Sequence, residues 1–176
     1  KRYWGHSSFR NLQEEIINAV ISKNDVFALL PTGAGKSLCY QIPALAKEGV
    51  CLVISPLISL MKDQIEQLEK KGIKALTIES KSSVDEIVTL FDNLKFGNYK
   101  FLYLSPERLN SEFILNKLKQ IQVNLIAVDE AHCISEWGHD FRPSYRLICK
   151  VREIHPNINV IALTATATKK VTKDII

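Results

Sequence analysis

The sequence predicts an α/β fold, a mostly parallel sheet with helices on both faces. Three observations predict it. Six short apolar runs recur along the chain, amphipathic helical patterns separate them, and no Gly/Ser-rich linker, repeat or low-complexity tract divides the whole. Such alternation lets each crossover helix return the chain to the same end of the sheet, so successive strands run parallel.

The elements follow in order. Phe9, Leu12, Ile16, Ile17 and Val20 share one helical face and predict a first helix; DVFALL at 25–30 predicts the first strand. After LLPTGAGKSLCYQ (29–41), an apolar helix begins near Lys36. VCLVI (50–54) is a buried strand, and Leu57, Leu60, Met61, Ile65 and Leu68 mark the next helix. KALTI (74–78) precedes a helix bearing Val84, Ile87, Val88, Phe91 and Leu94, whose start is a capping box of Ser83 and Glu86. KFLYL (100–104) is followed by a helix that Ser111 can cap, carrying Ile114, Leu115, Leu118 and Ile121. NLIAV (124–128) is the fifth strand, and His155-Pro156 ends a helix bearing Leu147, Ile148, Val151 and Ile154. INVIAL (158–163) is the sixth strand.

Composition bounds the function without choosing it. The chain has 176 residues, 46% apolar and 24% charged, the size and make-up of one domain with its own core. A net charge of +4 permits a polyanionic partner and does not require one. Cys39, Cys51, Cys133 and Cys149 show no zinc spacing and read as reduced core or near-core thiols of an intracellular protein. No apolar stretch approaches membrane-spanning length, and no signal-peptide core opens the chain. A first residue of Lys1 instead of Met reads as a segment of a longer protein.

Two segments carry chemistry. In the first, a strand ends at Leu30 and a Gly-containing turn leads into a helix, the setting of a phosphate-binding loop. Gly33 and Gly35 let backbone N–H groups curl towards phosphate oxygens, Lys36 reaches the β- and γ-phosphates, and Ser37 can ligate Mg²⁺. The strict G-x-x-x-x-G-K-[ST] pattern fails at its first position, where Leu30 stands. In the second, DEAHCISEWGHDFRPSY (129–145), Asp129 and Glu130 emerge from the C-terminal end of a buried strand, where open α/β sheets bind ligands. Asp129 reads as the second-sphere Mg²⁺ partner and Glu130 as the base that orients or deprotonates water. Trp137, Phe141 and Arg142 follow as either a stacking-and-charge surface for a polymer or aromatics closing a minor core.

Taken together these motifs resemble the first RecA-like domain, a P-loop NTPase fold, of a RecQ-family DNA helicase of superfamily 2. The resemblance covers essentially the whole chain. FRNLQ (9–13) resembles the adenine-reading motif, PTGAGKS (31–37) the phosphate loop, and SPLISLMKDQ (55–64) and YLSPERL (103–109) the elements that touch the DNA backbone. DEAH (129–132) is similar to the acidic motif, CISEWGHDFRPSY (133–145) to the aromatic-rich loop, and LTATAT (163–168) to the segment that couples the nucleotide site to DNA.

The resemblance implies ATP and Mg²⁺ as cofactors. It gives Gln13 the adenine edge, Arg10 support of the base, and His6 a packing position where the family often has an aromatic or apolar residue. Thr32, Gly33, Ala34, Gly35, Lys36 and Ser37 would cradle the phosphates. Lys36, Asp129 and Glu130 would be catalytic, and His132 would link the acidic motif to its neighbours. Thr164 and Thr166 would bond towards Asp129 or the DNA-side motifs. Trp137, Phe141 and Arg142 would sense single-stranded DNA, with Ser59, Lys62 and Arg108 as further contacts. TIESKSS (77–83) departs from the family's more neutral Asn-Ser stretch, and the Glu79 charge speaks against a nucleic-acid contact at that stretch.

The implied parent unwinds DNA at single-strand/duplex junctions 3′→5′ using ATP, in the bacterial cytoplasm or nucleoid, or in a eukaryotic nucleus. The second motor domain and later domains lie outside residues 1–176. The segment alone is therefore expected to bind nucleotide weakly and turn it over barely, since in related enzymes an arginine supplied from outside contributes ~10³–10⁵ in rate. A P-loop kinase or small-molecule ATPase, and a non-catalytic nucleic-acid-binding module, remain as alternatives at this point.

Overall fold

The computed structural model describes residues 3–5, 8–10, 12–79, 81–138 and 140–176. Its centre is a six-stranded sheet whose paired strands all run parallel. The strands are β1 (Val26–Leu29), β2 (Val50–Ile54), β3 (Ala75–Thr77), β4 (Phe101–Leu104), β5 (Val123–Val128) and β6 (Val160–Thr164), in spatial order β1-β6-β5-β2-β4-β3. The helices are α1 (Gln13–Ile21), α2 (Lys36–Leu45), α3 (Ile58–Glu69), α4 (Val84–Phe96), α5 (Glu112–Leu118), α6 (Ile148–Ile154) and α7 (Lys169–Ile175). Three 3₁₀ turns, Pro106–Asn110, Ala131–Ile134 and Pro143–Leu147, follow β4 and β5.

The period-two alternation of strand side chains divides the core into two layers. Leu52, Ile54, Leu102, Leu104 and Ile126 face α4, α5 and α6 through Phe91, Leu118 and Val151. Cys51, Val53, Phe101, Tyr103, Leu125 and Ala127 face α1, α2 and α3 through Val20, Tyr40, Ala44 and Met61. Burial on both faces is why these strands read as unbroken apolar runs.

Polar side chains close the joints. Asn124, in the buried strand β5, donates from Nδ2 to the carbonyls of Ala44, Lys47 and Gly49 and so satisfies the chain leaving α2. Asp25 pairs with Arg152 of α6 at 2.7 Å and accepts the Val160 N–H at 2.8 Å, joining the starts of β1 and β6. Ser83 and Glu86 form the capping box at α4, and Ser111 accepts from Ile114 N at α5.

Helix starts differ from the apolar pattern. Phe9 and Leu12 lie before α1 and are exposed, at 44% and 54%, with Leu12 in the left-handed region (φ 64°). The reason is local: Gln13, 2% exposed, docks inward at the first turn and the chain must bend to deliver it. Leu57 and Val84 are likewise exposed at the starts of α3 and α4. Cys39, Cys51 and Cys133 are buried and Cys149 is exposed, all as free thiols.

Candidate active site

In a parallel sheet every strand delivers its following loop to one edge, and the strand order sets the order of those loops. Here the phosphate loop follows β1, the 165–168 segment follows β6, and the acid pair follows β5. Next along the same edge come the Ser59–Lys62 helix after β2, the Arg108 turn after β4, and Glu79 after β3. One half of the edge carries the glycine turn, Lys36 and the acid pair; the other carries Lys62, exposed, and Arg108, half-buried.

The phosphate loop turns on two left-handed glycines, Gly33 (φ 79°) and Gly35 (φ 77°). Gly35 is the N-cap of α2 and provides no side-chain cap, whereas α4, α5 and α7 are capped by Ser83, Ser111 and Thr168. The first N–H groups of α2, those of Lys36 and Ser37, have no carbonyl within their own helix and are presented outwards. Thr32 is exposed at the start of the loop, and Ala34 N closes the turn on Pro31 O at 3.1 Å. A Cβ on Gly33 would meet nothing within 4 Å, so its left-handed φ and not crowding is what favours glycine there.

Arg10 and Gln13 brace this loop from behind. Arg10 Nη1 donates to Gly33 O at 2.9 Å. Gln13 Nε2 donates to Ala34 O at 2.9 Å and Gly35 O at 3.3 Å, and its Oε1 accepts Arg10 N–H at 2.9 Å. Both amide hydrogens of Gln13 are therefore taken by the loop, and reading an adenine edge with them requires the side chain to leave it. His6 lies outside the described residues.

The acid pair sits across from Lys36. Glu130 occupies the left-handed region (φ 48°, ψ 45°), a conformation that costs a non-glycine residue about 1–2 kcal/mol. That turn aims its carboxylate back into the site, where Oε1 lies 3.8 Å from Lys36 Nζ and Oε2 lies 3.3 Å from His132 Nδ1. His132 Nδ1 in turn lies 2.8 Å from Thr164 Oγ1 at the end of β6. Thr164 thus meets His132 and not Asp129; β6 runs beside β5, which brings its last residue to the turn after the acids. Behind them, fully buried Tyr145 donates its hydroxyl to Asp129 O at 2.8 Å.

Asp129 is half-buried and under-compensated. Its carboxylate accepts Glu130 N–H at 3.0 Å, yet burial first, and the neighbouring Glu130 charge second, push it up to about 6, with Lys36 acting in the opposite direction. A divalent cation relieves that deficit, and the Ser37 hydroxyl in the first turn of α2 is a suitable second oxygen. No cluster of three or more metal-ligating His, Cys, Asp or Glu side chains occurs among the described residues. One carboxylate and one hydroxyl are the kind of oxygen donors that Mg²⁺ accepts, since it takes few protein ligands and completes its shell with water and phosphate oxygens.

The aromatic loop is tied into the rest of the edge. Trp137 is 66% exposed, so it does not close a minor core, and Lys170 Nζ of α7 lies 4.0 Å from its ring centroid. Phe141 is half-buried beneath the Arg146 guanidinium at 5.5 Å. Arg142 pairs with Asp140 at 3.1 Å and donates to Pro56 O at 3.4 Å, linking the loop to the segment after β2. Ser59 and Lys62 are exposed on α3, and Lys62 pairs with Glu79 at 2.8 Å. The Arg108 guanidinium donates to Glu79 O.

Sequence reasoning named the phosphate loop, the acid pair and the aromatic loop, and the fold brings them to one edge. It missed the hold of Gln13 and Arg10 on the loop carbonyls, the Tyr145 anchor, and the Lys62–Glu79 pair. A Tyr two residues beyond Pro143 carries no local signal for its hydrogen bond; the Glu79 charge was a signal, but its partner was not.

Comparison with known proteins agrees with this geometry. A family profile described as DEAD/DEAH box helicase matches residues 10–175. The ATP-dependent DNA helicase RecQ of Bacillus subtilis is 53% identical over 175 residues, 98% of this chain and 30% of that protein. RecQ of Haemophilus influenzae is 46% identical over 176 residues, covering 100% of this chain and 28% of that protein. The ATP-dependent DNA helicase Q1 of Rattus norvegicus is 44% identical over 173 residues, 94% of this chain and 28% of that protein. The chain thus spans less than a third of the length of these relatives. Among solved structures, the DUF1998 helicase MrfA superposes with a TM-score of 0.76 at 20% identity, over 97% of this chain and 29% of that one. The Pyrococcus furiosus Hef helicase domain gives 0.70 at 24% identity, over 95% and 36%. These structural likenesses show the RecA-like fold.

Proposed function

The chain belongs to the DEAD/DEAH box helicase family, and from that premise we propose that residues 1–176 are the first, ATP-binding RecA-like domain of a RecQ-type DNA helicase moving 3′→5′. The observation that carries the proposal is the single sheet edge on which Lys36, Glu130, His132 and Thr164 stand in contact while Trp137, Arg142, Lys62 and Arg108 continue the same edge. The names of the RecQ relatives support DNA as the polymer and ATP as the fuel. The remaining motor and DNA-binding domains belong to the rest of the parent chain, which acts where DNA is, in a bacterial cytoplasm or a eukaryotic nucleus. No helix among the described residues is long and apolar enough to cross a membrane.

The chain's own groups have distinct tasks. The N–H groups of the 32–37 loop and the first turn of α2 bind the phosphates, and Ser37 with Asp129 would hold Mg²⁺, which would supply charge neutralisation on the phosphate oxygens. Lys36 exchanges Glu130 for the terminal phosphate, and the released Glu130 carboxylate accepts a proton from the attacking water. His132 then gives Thr164 a share in where that carboxylate sits. Because Thr164 leads through 165–168 into α7, and Lys170 of α7 lies on Trp137, the nucleotide site has a continuous route to the aromatic loop.

The test uses the 176-residue chain and its parent. Lys36→Ala removes nucleotide binding; Glu130→Gln keeps it and lowers hydrolysis by ~10²–10⁴. In the parent, Trp137→Ala keeps nucleotide binding and loses stimulation by single-stranded DNA. An ATPase indifferent to DNA in the wild-type parent overturns the proposal in favour of a kinase or small-molecule ATPase.

A further inference from the structure

We propose that Glu79 is a built-in competitor for the nucleic-acid backbone, its carboxylate holding Lys62 where a phosphate would otherwise sit. The inference rests on the reading above that Lys62 and Arg108 face a polyanion, and deepens it.

Lys62 Nζ and Glu79 Oε1 are 2.8 Å apart, with 56% and 57% of their side-chain surfaces open to solvent. A pair so exposed contributes little to stability, and it yields readily to a multivalent anion. Glu79 also binds the second cation of this rim, because its backbone carbonyl accepts from the Arg108 guanidinium. One residue thus occupies both cations, one through its side chain and the other through its main chain.

Arg108 has donor capacity to spare. Its Nε–H is buried and donates to nothing among the described residues, so the guanidinium as placed is incompletely used. The neighbouring turns are fixed, with Ser144 Oγ donating to Glu107 at 2.9 Å and Arg142 reaching Pro56 O. Glu79, by contrast, stands at the open end, lining a groove with Lys81, Asp85 and Glu86. Of these acids Glu86 is engaged by the Ser83 N–H in the α4 capping box, and Glu79 is the one paired with Lys62.

The chemistry predicts a measurable trade. A phosphate that takes Lys62 must displace Glu79, which then recruits a cation, so one less counterion is released on binding. Removing the Glu79 charge should tighten binding and steepen the salt dependence by about 0.7 in log K against log salt, the increment for one phosphate contact on a single strand.

The experiment is fluorescence anisotropy of a labelled oligo-dT, about 16 nucleotides long, with the 176-residue chain across a salt series. Glu79→Gln should bind roughly 3–10-fold tighter at low salt, and Glu112→Gln, the same charge change on α5, should not. In a Lys62→Ala background the gain from Glu79→Gln should vanish. If Lys62→Ala weakens binding while Glu79→Gln equals wild type, the rim binds DNA and the competitor role is overturned. A gain that persists without Lys62 also overturns it, since it then reports only net charge. If Lys62→Ala and Arg108→Ala both bind as wild type does, the underlying reading of this rim fails, and the competitor role with it.

Discussion

His132 Nδ1 and Thr164 Oγ1 stand 2.8 Å apart, joining the turn after β5 to the end of β6. The Thr164 hydroxyl donates to Thr166 O at 3.0 Å, so in the His132 contact it is the acceptor. A proton on His132 Nδ1 serves both this acceptor and Glu130 Oε2, 3.3 Å away. One N–H is shared between the proposed base and the segment that leads to the DNA side. Thr164→Val keeps the shape of the side chain and removes the acceptor. In the parent protein it should lower DNA-stimulated kcat by roughly tenfold or more while leaving KM for ATP nearly unchanged. Steady-state ATPase with and without single-stranded DNA checks this, and an unchanged kcat sinks the relay.

Asp129 makes the unliganded chain less stable at neutral pH. Its folded-state value of about 6 stands above the ordinary 3.8, so the folded state holds the proton more tightly than the unfolded one. The stabilisation this provides is complete below about pH 4 and is lost as pH rises through about 6. Asp129→Asn imitates the neutral form at every pH. It should stabilise the ligand-free chain by about 1–3 kcal/mol at pH 7.5 and by much less at pH 4, read by urea denaturation at both values. Equal gains at both pH values would refute the argument.

Gly35 is squeezed between conformation and contact. It sits at φ 77°, and a Cβ there would come within 2.5 Å of Gln13 Nε2. Gly35→Ala should weaken nucleotide binding at least tenfold by distorting the loop, beyond the ~1–2 kcal/mol of left-handed strain. Gln13→Ala alone loses the bonds to the Ala34 and Gly35 carbonyls and should itself weaken binding, and because the clash is absent from the double variant the two losses should be less than additive. Titration calorimetry of both single variants and the double variant checks this, and fully additive losses would show that the clash is irrelevant.

Asp25 does two jobs where Arg152 does one. The Arg152 guanidinium beside it holds the Asp25 carboxyl below the usual carboxylate range, and the same carboxylate accepts the Val160 N–H. Arg152→Ala removes a largely exposed ion pair and should cost under about 1 kcal/mol. Asp25→Ala also strands a backbone donor at the start of β6 and should cost about 1–2 kcal/mol. The depressed Asp25 value means that its stabilisation is present above the ordinary carboxylate range and is lost as pH falls through the folded value. Thermal melts of both variants at pH 7 settle the order; Arg152→Ala as the more damaging change would contradict it.

Much of this was legible in the chain because it depends on local physics. Apolar runs such as LIAV before Asp129 mark doubly buried strands, Ser83 and Glu86 announce the start of a helix, and Gly33 and Gly35 with Lys36 announce a phosphate turn. Phe9 and Leu12 misled, because periodicity counts apolar residues without knowing that Gln13 is the one drawn inward. Glu130 offered no sign of its left-handed backbone, since two adjacent acids look the same in any turn.

The order of motifs and the residue types within them determined the family and the fold class and pointed to a nucleotide site. Partners were decided by the tertiary structure alone. Strand order set β6 beside β5 and so gave His132 to Thr164, and it placed the loop after β3 near α3 and so gave Lys62 to Glu79. Spacing along a chain fixes what a residue can do. Which group lies within 3 Å of it depends on how crossovers over tens of residues pack, and no local pattern encodes that.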